Sequence, residues 1–201
     1  MNYNHISVGE EVPDFTLEAF NACEKDFVTV RLADLRKAKK WTVLVFYPAD
    51  FTFVCPTELA DIASKYRELK KLGAEVISVS TDTKFTHLGW QREETLLKDV
   101  QYLMGADPTG KIARLFGVYD EESGLALRGT FIISPEGTLV GSEINYYNVG
   151  RDADELMRKM QANVYLAEHP DEACPAKWTA GGKTLKPGAD IVGKIGEALG
   201  R

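Results

Sequence analysis

The sequence predicts an α/β fold, a central mixed sheet flanked by helices, followed by a C-terminal arm. Three observations predict it. Residues 41–47 (WTVLVFY) form a continuous, β-branched-rich apolar run of the kind found in strands buried on both faces. Within about forty residues come an amphipathic helix and a second apolar strand, a βαβ unit whose strands run parallel through a right-handed crossover. Residues 129–141 (GTFIISPEGTLVG) read as two apolar strands about Pro135-Glu136-Gly137, so a hairpin adds antiparallel pairing to the same sheet.

The first strand, 41–47, ends at Pro48. From Leu59 the apolar residues Leu59, Ile62, Ala63, Tyr66, Leu69 and Leu72 recur at three- and four-residue intervals as far as Gly73, a helix with a glycine stop. EVISVS (75–80) is the second strand. Residues 85–97 are expected to be helical and 101–104 a short strand. Residues 152–167 form a helix with Leu156, Met160, Val164 and Ala167 along one face. The last stretch, 168–201, is weakly patterned and holds three prolines and six glycines, as expected of an arm that packs on something else. The expected organisation is a domain over 1–167 and an arm over 168–201.

A length of 201 residues with 44% apolar and 27% charged residues is ordinary globular usage and disfavours disorder, collagen-like sequence and coiled coil. The net charge of −6 argues against a nucleic-acid backbone or an anionic membrane as the main partner. No apolar run approaches the ~18 residues of a spanning helix. The opening MNYNHISVGE lacks a charged region followed by an apolar one, so a cytoplasmic location is expected.

Three cysteines, Cys23, Cys55 and Cys174, are too few and too scattered for a disulfide scaffold or a zinc site. Cys55 lies between the buried strand and the helix. Pro56 favours the first helical turn and so sets Cys55 close to the N-cap. Free backbone N–H groups and the helix dipole favour an anion there, and thiols so placed ionise below their usual ~8.5. The position is also beyond the carboxyl end of a strand, where α/β sheets bind ligands. A nucleophile and a plain buried cysteine both fit. Thr52, three residues earlier, can meet the sulfur through its hydroxyl or act as a local cap. Glu58, in the first turn, fits an N-terminal capping role.

The string FYPADFTFVCPTE, with Arg128 before the GTFIISPEG hairpin and ACPAKW near the C-terminus, resembles the typical two-cysteine peroxiredoxins, and most closely their alkyl hydroperoxide reductase C branch. The likeness runs from about residue 6 to about residue 195. It implies a thioredoxin-like fold in which Cys55 is the peroxidatic cysteine, Pro48 shields it, Thr52 orients the peroxide, Arg128 supplies positive charge and Cys174 is the resolving cysteine. Trp90 aligns with an aromatic near the family's active site, though on a helix face it also fits simple core. Without the family pattern Arg128 would read as a surface arginine at a strand start. Cys23 matches nothing in this scheme, and His87 has no motif that gives it a catalytic role. Trp178, soon after Cys174, is expected to anchor the arm.

The implied chemistry needs no metal or bound cofactor. A thiolate displaces RO⁻ from a peroxide, and a guanidinium, always charged and forked, can hold the sulfur and the peroxide oxygen together. The resulting sulfenic acid must be captured by a thiol before further peroxide oxidises it to sulfinic acid. In the family the captor is the partner subunit's cysteine. The resemblance thus implies a homodimer with intersubunit Cys55–Cys174 disulfides, assembling to a decamer, recycled by a thioredoxin or a flavoprotein disulfide reductase. A disulfide bond needs Cα atoms within ~7 Å, and if Cys55 begins inside a helical turn, that turn must unwind first. The glycine-rich GGLG insert and terminal Tyr-Phe of overoxidation-prone relatives are not matched by GVYDEESGLALRG and IGEALGR, which predicts quick resolution. A holdase or ring scaffold needs no reactive sulfur and is the competing expectation. A disulfide exchanger would want Cys-x-x-Cys, and Cys55 is followed by Pro56-Thr57-Glu58.

Overall fold

The computed structural model describes residues 5–200. Its sheet is built from β1 (Thr16–Asn21), β2 (Asp26–Arg31), β3 (Trp41–Phe46), β4 (Ala74–Ser80), β5 (Leu103–Ala106), β6 (Arg128–Ile133) and β7 (Leu139–Asn145). The helices are α1 (Leu32–Lys37), α2 (Cys55–Lys71), α3 (Lys84–Glu93), α4 (Lys111–Leu115), α5 (Ala153–Glu168) and α6 (Ile195–Leu199). The strand order is β2-β1-β5-β4-β3-β6-β7. β3, β4 and β5 are parallel neighbours, and every other pairing is antiparallel. This is the mixed, thioredoxin-like sheet the sequence implies.

The expected βαβ unit is β3–α2–β4, with Trp41 paired to Ala74 and Phe46 to Val79. All six residues of β3 are buried, which is why the segment carries no polar alternation. Leu44, Phe46, Ile77 and Val79 point to one face and meet Phe15, Phe116 and Phe131 in the main apolar cluster. The hairpin is β6–β7, with a register shift at Ile132/Ile133.

Two expectations are corrected. The helix over 85–97 stops at Glu93, because Glu94 is extended (φ −86°, ψ 114°) and its carboxylate accepts from Leu96 N at 3.1 Å. A separate 3-10 turn follows over Thr95–Leu97. The strand over 101–104 lies two residues later as β5, running through Gly105. A Cβ at Gly105 would come within 3.2 Å of Leu17 and Ile77, so this glycine serves close packing between strands.

The chain parts into two compact units, Met1–Ala153 and Asp154–Arg201. In the second, the C-terminal arm returns onto α5. The Trp178 ring is buried, lies 5.3 Å from that of Tyr165, and donates from Nε1 to Gly182 O at 3.0 Å. Ala173 and Leu185 exchange both backbone hydrogen bonds, at 2.8 and 2.9 Å. Among the described residues no helix is long and apolar enough to cross a membrane.

Candidate active site

β3 delivers the chain through Tyr47 and Pro48, both buried, into a short loop that ends where α2 begins. Phe51 takes a left-handed conformation (φ 54°), an unfavourable one for a residue with a Cβ, and the loop turns there. Cys55 is the first residue of α2, follows the N-cap Val54 and is 0% exposed. The residue therefore sits at the positive end of the dipole of a 17-residue helix.

Arg128, at the start of β6, is buried rather than on the surface. Its Nε donates to Tyr147 O at 2.7 Å, which fixes the plane of the guanidinium. Nη1 then reaches the Cys55 sulfur at 3.4 Å and Glu58 Oε2 at 2.5 Å. Glu58 does not cap its helix. The helix start carries no side-chain cap, and the Glu58 carboxylate turns instead to two arginines. Arg151 donates to it from the backbone N at 2.9 Å, from Nε at 2.8 Å and from Nη2 at 3.1 Å. A carboxylate offered guanidinium partners gains more than an N-cap amide could give it.

Burial pushes the Glu58 carboxyl up, but the hydrogen bonds and charge of Arg151, with the charge of Arg128, outweigh it and hold the group below the ordinary carboxylate range. In the contacts around Glu58 two permanent cations share one carboxylate, an excess of positive charge beside the Cys55 sulfur. An anion on the sulfur of Cys55, or on an oxygen beside it, neutralises that charge.

Thr52 donates its hydroxyl to Ala49 O at 2.8 Å, so the side chain braces the loop. Trp90, on α3, is 1% exposed, with its ring 5.9 Å from that of Tyr47 and 6.2 Å from that of Phe51. It supports the loop from behind. Cys174 belongs to the second unit and is half-buried; burial pushes its thiol up, as does Glu172, while Arg158 opposes both. Cys23 is exposed in the turn between β1 and β2.

Two features have no clear signal in the sequence. Arg151 lies 93 residues from Glu58 and outside any motif. The other is a buried triad beneath the loop. Tyr47 Oη donates to Asp50 Oδ1 at 2.7 Å, and His87 Nδ1 lies 2.8 Å from Asp50 Oδ2. His87 Nε2 is 3.1 Å from the Gly105 carbonyl, which can only accept, so Nε2 carries hydrogen and the Asp50–His87 contact holds a further proton. Burial raises the Asp50 carboxyl, with His87 pulling the other way.

The chain is similar to known proteins along most of its length. Residues 8–142 match the model of the AhpC/TSA family. Alkyl hydroperoxide reductase C of Amphibacillus xylanus is 53% identical over 188 residues, covering 94% of this chain and 98% of that protein. The Staphylococcus aureus protein of the same name is 49% identical over the same shares. Among solved structures, Enterococcus faecalis AhpC superposes with a TM-score of 0.78 at 43% identity, covering 87% of this chain and 100% of the other. The reduced 2-Cys peroxiredoxin of Plasmodium vivax gives 0.86 at 28% identity, covering 92% and 98%.

Proposed function

The chain is a peroxiredoxin of the AhpC/TSA family, and from that premise we propose that it is a thiol-dependent peroxidase that reduces hydrogen peroxide and organic hydroperoxides to water or alcohols through Cys55. The observation that carries this is the Arg128 guanidinium shared between the buried Cys55 sulfur and Glu58. Charge moves from sulfur to the departing oxygen during the displacement, and a fixed cation touching the sulfur can follow it.

The Cys55 thiolate attacks one peroxide oxygen, the O–O bond breaks, and the departing hydroxide or alkoxide takes up a proton. The sulfur is left as a sulfenic acid. Arg128 balances the charge throughout, and Glu58 with Arg151 orients it. Pro48 keeps water from the sulfur, Thr52 orients the peroxide with its hydroxyl oxygen, and Trp90 supports the loop that carries both.

In the second half of the cycle Cys174 of the partner subunit captures the sulfenic acid, forming an intersubunit Cys55–Cys174 disulfide and releasing water. The first turn of α2 unwinds to let the sulfurs meet. Residues 1–167 act as the peroxidase domain and 168–201 as the arm that brings the resolving sulfur. The working unit is a homodimer with two such bonds, assembling to a decamer. A thioredoxin or a flavoprotein disulfide reductase restores both thiols. The role is antioxidant defence and redox homeostasis in the cytoplasm, where reduced dithiols are supplied.

The test is peroxide consumption with a supplied dithiol. Wild type turns over and Cys55→Ser does not; equal rates would end the proposal.

A further inference from the structure

The guanidinium of Arg128 is gripped by Glu58 and by Tyr147 as well as touching the sulfur. Nη1 donates to Glu58 Oε2, and Nε donates to Tyr147 O at 2.7 Å. A planar group fixed at one point can still turn about it. The bond to Tyr147 O therefore decides whether Nη1 stays 3.4 Å from the Cys55 sulfur.

The carbonyl that makes this bond lies beyond the strand ladder. β7 ends at Asn145, which pairs with Arg128, and residues 147 and 148 form a turn past that end. Strand pairing does not set where Tyr147 O lies. Any residue has a carbonyl, but the side chain of Tyr147 gives this one an anchor, because its hydroxyl donates to Asp120 Oδ2 at 2.7 Å. A hydrogen bond to a carboxylate is roughly twice as strong as one between neutral groups.

Asp120 is itself built into a tight loop. It accepts from Glu122 N at 3.0 Å and from Ser123 Oγ at 2.7 Å, and its own backbone N donates to Leu125 O at 2.9 Å. The loop closes with the bridge between Tyr119 and Ala126 and runs two residues later into Arg128. The contacts thus form a ring. It runs out along the arginine side chain to Tyr147 O, through the phenol to Asp120, and back along the loop to the arginine backbone.

This inference rests on the roles proposed above for Cys55 and Arg128. We propose that Tyr147 is a positioning residue for the peroxide step: its hydroxyl, held by Asp120, fixes the carbonyl that orients the Arg128 guanidinium against the Cys55 sulfur. Tyr147 makes and breaks no covalent bond in that step. It acts through Arg128.

The experiment follows oxidation of reduced, full-length protein by hydrogen peroxide in pseudo-first-order excess, by stopped flow. Tyr147→Phe keeps the carbonyl and the ring and removes only the hydroxyl. Its second-order rate should fall about three- to tenfold, the scale of one lost hydrogen bond. Asp120→Ala should fall by a similar factor, and Asp120→Asn, which keeps an oxygen for the hydroxyl to donate to, should recover part of the loss. In an Arg128→Gln background Tyr147→Phe should cause no further loss, because the group it positions is gone. A role in general stability would not depend on Arg128 in this way. A wild-type rate in Tyr147→Phe would overturn the proposal, and so would a loss of equal factor with and without Arg128. Cys55→Ser is the control for the reading beneath it. If that variant consumes peroxide as fast as wild type, Cys55 is not the reacting sulfur and the assignment of Tyr147 falls with it, whereas the two outcomes before it overturn the role of Tyr147 alone.

Discussion

Arg128 Nη1 sits 3.4 Å from the sulfur of Cys55, although the two residues are 73 positions apart in the chain. Neither can reach the other without the sheet. β3 leads to the helix start that carries the sulfur, and β6, the antiparallel neighbour of β3, begins with the arginine. Pairing of Val45 with Thr130 brings the start of β6 to the carboxyl end of β3. The register of one strand pair therefore sets a reactive contact.

Replacing Arg128 by Gln should lower the second-order rate of peroxide reduction about a hundredfold, the usual cost of removing one fixed donor at a centre of changing charge. Arg128→Lys should recover only part, because an ammonium keeps the charge but does not reproduce the planar fork that serves Tyr147, Glu58 and the sulfur together. Stopped-flow oxidation under pseudo-first-order peroxide measures both.

Glu58→Gln should destabilise the fold by about 2 kcal/mol at neutral pH, since two buried guanidinium groups lose their shared carboxylate. The Glu58 carboxyl is held below its unfolded value, so the stability it contributes is present above about pH 4.5 and is lost as pH falls through the folded value. The gap between wild type and variant should therefore narrow on acidification. Denaturant unfolding from about pH 7 down to about pH 3 checks the sign.

Tyr47→Phe removes the hydroxyl that donates to the buried Asp50 carboxyl and should cost about 1–3 kcal/mol. The Asp50 carboxyl is raised by burial, so its contribution to stability is full below the ordinary carboxylate range and falls as pH rises through the folded value. That hydroxyl favours the ionised form, so the penalty of the variant should grow with pH. Urea midpoints across the same range would show it.

Much of this was legible in residue order. A wholly apolar β3, the helical spacing from Leu59 to Leu72, and the Pro135-Glu136-Gly137 turn are local patterns with local causes, and each marks its element. β2 lies half-buried at a sheet edge, so its alternation is weak, and β1 alternates only over Thr16–Ala19 before Phe20 and Asn21 break the pattern. β5 is hidden for another reason, because Gly105 reads as a breaker until its packing against Leu17 and Ile77 is known. In the site, Cys55 was marked by its neighbour Pro56, whereas Glu58 looked like a cap because its true partners lie 70 and 93 residues away. Arg151 and the Asp50–His87 contact belong to tertiary structure alone.

Trp178→Ala should release the arm, since a buried indole contributes several kcal/mol and this one also holds Gly182. Limited proteolysis should then cut first between residues 168 and 201, and disulfide formation should slow. Oxidation of Cys55 by peroxide should keep its wild-type rate, because that step depends on the first unit.

The most direct measurement is to treat reduced Cys174→Ser protein with one equivalent of peroxide, trap sulfenic acid with a dimedone-type reagent and map the label by peptide mass. The account predicts label at Cys55 and an unmodified Cys23, with the label at Cys55 largely lost when Arg128 is also replaced by Gln and the trap is applied early. Label at the exposed Cys23 in preference to the buried Cys55, or labelling of Cys55 that is indifferent to Arg128, would contradict it.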